Sequence, residues 1–185
     1  MNDDEITRAA LAAQQGDRDA AAAFIRATSP QLRRVLRYLG DSGHIDDLAQ
    51  ETYLRAFAAL PRFANRSPAR LWLLSIARRV AADGVRKAQR SPKSTGSPES
   101  YYDAQLRGRS PDHSGLVALR QAIATLAPER REAFVLTRVI GLSYAEAADA
   151  CGCPVGTIRS RIYRARTDLM AALREGEGPL SATGD

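Results

Sequence analysis

The chain has 185 residues and a formal net charge of +6, with 27 Lys and Arg residues against 21 Asp and Glu. Its length suits one medium domain or two small ones. The sequence contains neither an apolar run of about eighteen residues nor a basic segment leading into an apolar one, so we predict no membrane span and no export signal, and expect a cytoplasmic protein. Lys87 and Lys93 are the only lysines. The arginine bias favours a nucleic-acid partner, although a GC-rich coding sequence produces the same bias.

The first half of the chain is predicted to be helical throughout, because Ala, Leu and Arg dominate and helix breakers recur at regular intervals. No segment has the alternation of a β-strand. Each predicted helix starts at a capping side chain and ends near glycine or proline. The predicted helices run from Asn2 or Asp3 to Gly16, from Asp17, from Ser29-Pro30 to Gly40, from Asp46-Asp47 to Pro61, and from Ser67-Pro68 to about Arg90.

A central stretch, residues 91–115, has the composition of a linker. Its sequence, SPKSTGSPESYYDAQLRGRSPDHSG, is rich in Ser, Pro and Gly and lacks apolar periodicity. It divides the chain into a first domain of residues 1–90 and a second of residues 116–175. The glycine-rich end, residues 176–185, is predicted to be a disordered tail.

The second domain is predicted to be helical as well. One helix covers Leu116–Leu126 and another covers Pro128–Ile140. Residues 143–146 form an S-x-x-E capping box, which opens a short helix that stops at Gly152. Pro154 then starts the last long helix.

The last long helix has two different faces. Ile158, Ile162 and Ala165, together with Leu169, fall on one narrow apolar stripe at helical spacing. The outward positions are polar or small: Gly156, Ser160, Tyr163, Arg164 and Thr167, with Arg159 and Arg161 on the flanks. A short helix, a glycine turn and a basic second helix are typical of a helix-turn-helix, whose second helix enters the DNA major groove. A purely solvated face would usually mix both signs of charge, and no acid occurs between Cys151 and Thr167.

The two cysteines, Cys151 and Cys153, form a C-x-C pair. A zinc site needs about four ligands, and His44 and His113 lie far away in unrelated contexts. A disulfide across one residue would be strained. We therefore interpret both cysteines as small residues packed in a turn, rather than as a redox or metal switch, and predict no metal and no cofactor.

Four segments together resemble the bacterial sigma factors of the extracytoplasmic-function (ECF) group in the sigma-70 family. They are DDLAQETYLRAF (46–57), PRF (61–63), LWLLSIARRVAADGVRK (71–87) and LSYAEAADACGCPVGTIRSRIYRARTDL (142–169). The similarity extends over nearly all of residues 5–172. It implies an all-α protein of two small helical domains on a flexible linker. Such a protein binds core RNA polymerase, recognises a promoter and helps to open the DNA, without catalysis of its own.

By this resemblance the first domain carries two surfaces. The helix of Asp46, Asp47, Gln50 and Glu51 would dock on the clamp helices of the polymerase β′ subunit, and exposed carboxylates can pair with arginines there. The loop of residues 64–69 would capture a flipped base of the minus-10 element. The proposed minus-10 contacts are Asn65, Arg66 and Ser67 in the loop, with Arg79, Arg86 and Arg90 as a basic ridge along the next helix. Position 79 departs from the family, which commonly has asparagine there.

The resemblance also assigns the second domain. Arg159, Ser160, Tyr163 and Arg164 would read the minus-35 element, while Thr157 and Arg161 would contact phosphates. The polymerase β flap is a further expected contact. No small-molecule substrate is expected. An anti-sigma partner is common in the family, and nothing in the sequence indicates whether one exists.

Two other functions are compatible with parts of the sequence. A self-sufficient helix-turn-helix regulator would bind DNA as a dimer, but it leaves the acidic helix unexplained. An enzyme or redox sensor built on Cys151 and Cys153 lacks a catalytic set, a phosphate-binding glycine loop and a metal cluster.

Overall fold

The computed structural model describes residues 1–40, 42–90 and 113–176. Within these ranges the chain forms eight α-helices and no strand, which confirms the all-α prediction. The helices are α1 (Asp3–Gln14), α2 (Arg18–Leu39), α3 (Ile45–Ala59), α4 (Ala69–Arg90), α5 (His113–Thr125), α6 (Pro128–Phe134), α7 (Tyr144–Cys151) and α8 (Val155–Gly176). Short 3₁₀ turns cover Ser42–His44 and Leu60–Arg62, and a π-helical turn, Val135–Val139, continues α6.

The capping residues predicted for the first two helices are confirmed. The Asn2 side chain accepts from the Glu5 amide, and the Glu5 carboxylate accepts from the Asn2 amide, both at 2.9 Å. Asp17 accepts from the Ala20 amide at the start of α2. These bonds satisfy amides that have no partner inside a helix, so each start is fixed by local sequence.

The predicted helix start at Ser29-Pro30 is wrong, because α2 runs through it unbroken with Pro30 inside the helix. The buried face of α2 continues across the proline, from Phe24 through Thr28 to Leu32. The Thr28 hydroxyl donates to the Phe24 carbonyl at 2.8 Å. Proline removes one backbone hydrogen bond, and the continuous burial of this face outweighs that loss.

Helices α1, α2 and α3 pack around α4, whose apolar face of Ala69, Leu73, Ile76 and Val80 is buried. Leu48 of α3 packs between Gly40 at the end of α2 and Gly84 of α4. A Cβ atom on Gly40 would lie 2.5 Å from Leu48 Cδ1, and one on Gly84 would lie 3.1 Å from Leu48 Cδ2. The two glycines therefore let α3 pack closely against both neighbours.

The second half forms the predicted helix-turn-helix. Ser143 and Glu146 make the capping box that starts α7. Gly152 ends α7 in the left-handed conformation, with φ of 64° and ψ of 40°, which glycine adopts without steric cost. The predicted helix over Pro128–Ile140 corresponds to α6 and its π-helical turn.

The two halves pack against each other, a contact that the helical patterns of the sequence do not predict. Leu71 and Leu74 of α4 belong to the same buried cluster as Leu136, Ala147 and Ile158 of the second half. The structure brings α4 alongside α7. Helix α5 begins at His113, within the last three residues of the predicted linker. The rest of that linker, and the predicted tail from 177 onward, lie outside the described residues.

Candidate polymerase and nucleic-acid interfaces

Helix α8 divides into the two faces that its sequence predicts. Ile158, Ile162, Ala165 and Leu169 are all buried. On the opposite side Ser160 and Arg164 are exposed, and the Tyr163 ring is 75% exposed. The Ser160 hydroxyl donates to the Thr157 carbonyl, which holds it close to the helix axis. The helix therefore packs by one stripe and leaves a polar, aromatic and basic face open.

The arginines on this open face have no acidic partners. Arg159, Arg164 and Arg166 are exposed, and none of them makes an ion pair or side-chain hydrogen bond within the described part of the chain. Arg161 differs, because it is half-buried and its Nη1 lies 3.9 Å from Cys153 Sγ. Unpaired guanidinium groups on one helix face can bind phosphates and the acceptor edge of guanine.

The open face extends further along α8 than the residues predicted from its sequence. An open groove of about 590 Å³ runs beside the helix from Arg159 to Arg174, with Tyr144 of α7 as a lining residue. Met170 in this groove is 54% exposed. The helical spacing of Tyr163 and Met170, seven residues apart, could have revealed this surface.

The loop of residues 64–68 is fixed at both ends and exposed in the middle. Asn65 and Arg66 are exposed, and Ser67 is half-buried. Asn65 has φ of 51°, the one positive φ of a non-glycine residue in the described ranges. Asparagine tolerates this left-handed conformation better than most residues, and such backbone positions occur often at binding sites.

Contacts with α1 and α4 anchor this loop. Phe63 packs on Trp72 of α4, with ring centroids 4.9 Å apart. The Gln14 side chain donates to the carbonyls of Leu60 and Phe63, at 2.8 and 3.1 Å. At the far end, the Ala69 amide donates to the hydroxyl of Thr7 at 3.0 Å. Helix α1 therefore positions the loop, and Trp72 acts as a packing residue.

Of the predicted basic ridge on α4, one arginine has no ion pair within the described residues and another is paired. Arg79 is exposed and makes no ion pair within the described residues. Arg86 is also exposed but pairs with Asp83 of the same helix. The side chain of Arg90 lies outside the described residues. Arg79 and Arg86 are seven residues apart, about 10 Å along the helix axis.

The acidic surface of α3 contains paired and unpaired groups. Asp46 forms an ion pair with Arg33 of α2, and Glu51 pairs with Arg55 at 2.6 Å. Asp47 and Gln50 are exposed, and neither has an ion pair or side-chain hydrogen bond within the described residues. Leu54, one turn further along, is 60% exposed and is not among the docking residues predicted from the sequence. An apolar side chain beside unpaired polar ones is typical of a protein-binding surface.

Comparison with known proteins identifies the family to which the chain belongs. Residues 24–91 match the model of sigma-70 region 2, and residues 116–169 match that of sigma-70 region 4. The ECF RNA polymerase sigma factor SigC of Mycobacterium tuberculosis is 48% identical over 172 residues, which span 92% of each chain. This chain belongs to the ECF sigma factors of the sigma-70 family. It binds core RNA polymerase and promoter DNA and directs promoter-specific initiation of transcription.

Two solved structures resemble this chain over most of its length. CnrH, in complex with the cytosolic domain of CnrY, is 27% identical to this sigma factor, with a TM-score of 0.71 over 94% of this chain and 99% of that one. RpoE of Bartonella quintana, in complex with the anti-sigma factor NepR, is 30% identical, with a TM-score of 0.63 over 81% and 94%. No helix among the described residues of this sigma factor is long and apolar enough to cross a membrane.

The cysteines pack in the turn of the helix-turn-helix. Cys151 is buried and Cys153 is half-buried, and both are free thiols. Burial, and then the charge of Glu132, raise the pKa of Cys151 to about 12. A protonated, buried thiol is a poor nucleophile. Within the described residues no group of His, Cys, Asp and Glu side chains could hold a metal ion.

Proposed function

We propose that the open face of α8 reads the minus-35 promoter element. Arg159, Ser160, Tyr163 and Arg164 contact base edges, and Thr157 and Arg161 contact phosphates. The observation that carries this proposal is the row of unpaired arginines on a face without acids. Because Arg159 and Arg164 have no internal partner to give up, DNA binding breaks no ion pair of theirs.

We further propose that the anchored loop and α4 bind the minus-10 element. Asn65, Arg66 and Ser67 line a pocket for an unstacked base, and Arg79 and Arg86 contact phosphates. The positive φ of Asn65 supports this assignment, because it turns the exposed loop between two fixed ends. Arg79 acts as an unpaired cation, whereas Arg86 first has to leave Asp83.

The docking surface for polymerase is proposed to lie on α3. Asp46, Asp47, Gln50 and Glu51 contact the clamp helices of β′, with Leu54 as an added apolar contact. Asp47 and Gln50 have no internal partner within the described residues, so they contribute most directly to polymerase binding. Residues 1–90 act as the domain for docking and for the minus-10 element, and residues 116–175 act as the minus-35 domain that also contacts the β flap.

We propose that this sigma factor acts in the cytoplasm, where its polymerase and DNA partners are, and has no enzymatic activity of its own. An anti-sigma factor is a further proposed partner, because the Bartonella RpoE was solved in complex with the anti-sigma factor NepR. Such a partner would compete with polymerase or DNA for the surfaces described above.

Site-specific crosslinking tests the two DNA assignments together. A photoreactive amino acid is placed at Asn65 or at Tyr163, and each variant is assembled with core polymerase on a two-element promoter. We expect Tyr163 to crosslink at minus-35 and Asn65 at minus-10. As a control, the same group at Asp19, an exposed residue of α2 outside both surfaces, crosslinks to neither element. Crosslinks of Tyr163 to minus-10 or of Asn65 to minus-35 would contradict the assignment.

A further inference from the structure

Two side chains of α1 bind the backbone at both ends of the loop of residues 64–68. The Gln14 amide donates to the carbonyls of Leu60 and Phe63, at 2.8 and 3.1 Å. The Thr7 hydroxyl accepts a hydrogen bond from the Ala69 amide at 3.0 Å. These partners are 46 to 62 positions apart in the sequence. Each end of the loop is therefore fixed by a helix that is remote in the chain.

The role of Thr7 as an acceptor is set within α1. Its hydroxyl donates its proton to the Asp3 carbonyl at 2.8 Å, so a lone pair of the same oxygen is left for the Ala69 amide. Ala69 is the first residue of α4, and the first amides of a helix have no partner inside it. Thr7 thus satisfies an amide that α4 cannot satisfy, at the point where the loop ends.

Apolar packing makes α1 a firm support for these contacts. Ile6 and Ala10 of α1 are buried. They belong to the same core cluster as Phe63 and Ala69, the residues on either side of the loop. The match to sigma-70 region 2 covers residues 24–91, so α1 lies before it. The conformation of a loop inside the matched region therefore depends on a helix outside it.

The centre of the loop depends on its two ends. Asn65 has φ of 51°, and such a conformation persists only where the surrounding structure maintains it. Asn65 and Arg66 are exposed, so burial of their side chains does not fix the backbone there. Only residues 64–68 separate the Phe63 carbonyl from the Ala69 amide. In so short a loop, movement of either end moves the middle, because one residue spans at most about 3.6 Å.

We propose that Gln14 and Thr7 are positioning residues that determine base specificity at the minus-10 element. Neither side chain touches DNA. Each fixes one end of the loop, and together they maintain the shape of the pocket that receives the unstacked base. This inference rests on the proposed assignment of that loop to the minus-10 element. Helix α1 is then part of promoter recognition as well as of the core.

Neutral substitutions remove these hydrogen bonds and leave the net charge unchanged. Q14M deletes the donor but keeps a side chain of similar length and helix propensity. T7V deletes the acceptor and keeps the branched shape, whereas T7S keeps the hydroxyl. The matched control is Q15M, because Gln15 is exposed at the end of α1 and its side chain makes no hydrogen bond within the described residues.

Initiation by the full-length chain with core polymerase measures the effect. Each position of the minus-10 element carries each of the four bases in turn, and a further template has a scrambled minus-35 element. We expect Q14M and T7V to lose roughly three- to tenfold of base discrimination at the unstacked position, a factor typical of one hydrogen bond. Discrimination at minus-35 and affinity for core enzyme stay as in Q15M, and T7S keeps the wild-type preference.

The outcomes separate failure of this inference from failure of the proposed surfaces. Unchanged discrimination at every minus-10 position in Q14M and T7V overturns the inference and leaves the surfaces in place. Losses of the same size at minus-10 and minus-35 also overturn it, because α1 then acts only on stability. If Q14M does not fold, the comparison of T7V with T7S decides alone. If the wild type distinguishes no base at any minus-10 position, the proposed minus-10 surface fails, and the inference fails with it.

Discussion

Arg55 of α3 and Asp83 of α4 form an ion pair at 2.8 Å, which joins the helix of the proposed polymerase surface to the helix of the basic ridge. Arg55 also pairs with Glu51, and Asp83 also pairs with Arg86. Hydrogen bonds from Arg55 and then Arg86 lower the pKa of Asp83. Two of the proposed contact residues are therefore held in an internal network, and their unpaired neighbours, Asp47 and Arg79, are better targets for mutation.

Charge reversal at Asp47 should weaken polymerase binding, while the fold loses only the favourable interaction of this first-turn carboxylate with the dipole of α3, about 0.3–1 kcal/mol. Asp47 has no ion pair within the described residues, so D47R breaks no internal contact. We expect core polymerase affinity to fall by about 1–3 kcal/mol, measured by competition for core enzyme. The control D19R reverses an exposed charge on α2. Equal affinities of D47R and D19R for core enzyme would remove Asp47 from the docking surface.

Truncation of Arg164 should reduce discrimination at the minus-35 element. The side chain is exposed and unpaired in the described structure. We expect R164A to lose about 1–3 kcal/mol of preference for matched over scrambled minus-35 DNA. R174A, at the far end of the same helix, should leave that preference unchanged. The assignment is refuted if R164A weakens binding to both sequences by the same factor.

Substitution of Gly156 should have opposite effects on stability and on DNA binding. Gly156 is exposed in the first turn of α8, and a Cβ atom there would meet nothing within 4 Å. Alanine favours the helix by roughly 0.5–1 kcal/mol, so G156A should raise the free energy of unfolding. We expect it to weaken DNA binding, because a methyl group separates the helix start from a phosphate. A more stable variant with unchanged DNA affinity would show that no backbone approaches DNA at this glycine.

Alkylation of the native protein should leave Cys151 unmodified. The thiol is buried, and its pKa is raised to about 12, so almost no thiolate is present at pH 8. We expect mass spectrometry after iodoacetamide treatment to find Cys151 modified only in denaturant. Rapid modification of Cys151 in the folded chain would instead favour the redox-sensor alternative.

Local sequence predicts most of this fold because the helix ends depend on local chemistry. The capping boxes of Asn2 and Ser143 and the left-handed Gly152 all satisfy backbone groups within a few residues. The break predicted at Pro30 is wrong because burial along α2 is a tertiary effect. A proline in the sequence does not indicate which residues of the same helix are buried in the folded protein.

The sequence predicts which helix faces form the interfaces. It does not predict which charged side chains on those faces form internal ion pairs. The spacing of α8 indicated which residues point outward, and the structure agrees. The pairing of Asp46 with Arg33 depends on how α2 packs beside α3. The pairing of Glu51 with Arg55 depends on the rotamers of two side chains on the same helix. The contacts of Arg78 with α6 and α7 join residues 54 to 73 positions apart. Nothing in a helical period encodes contacts over such separations.

In vitro transcription tests the central claim most directly. Purified sigma factor and core RNA polymerase are combined on a promoter that carries both elements, and on matched templates with either element scrambled. We predict transcripts from the intact promoter only when the sigma factor is present, and a strong loss when either element is scrambled. Initiation that is the same with and without the sigma factor, or that ignores both elements, would contradict the account.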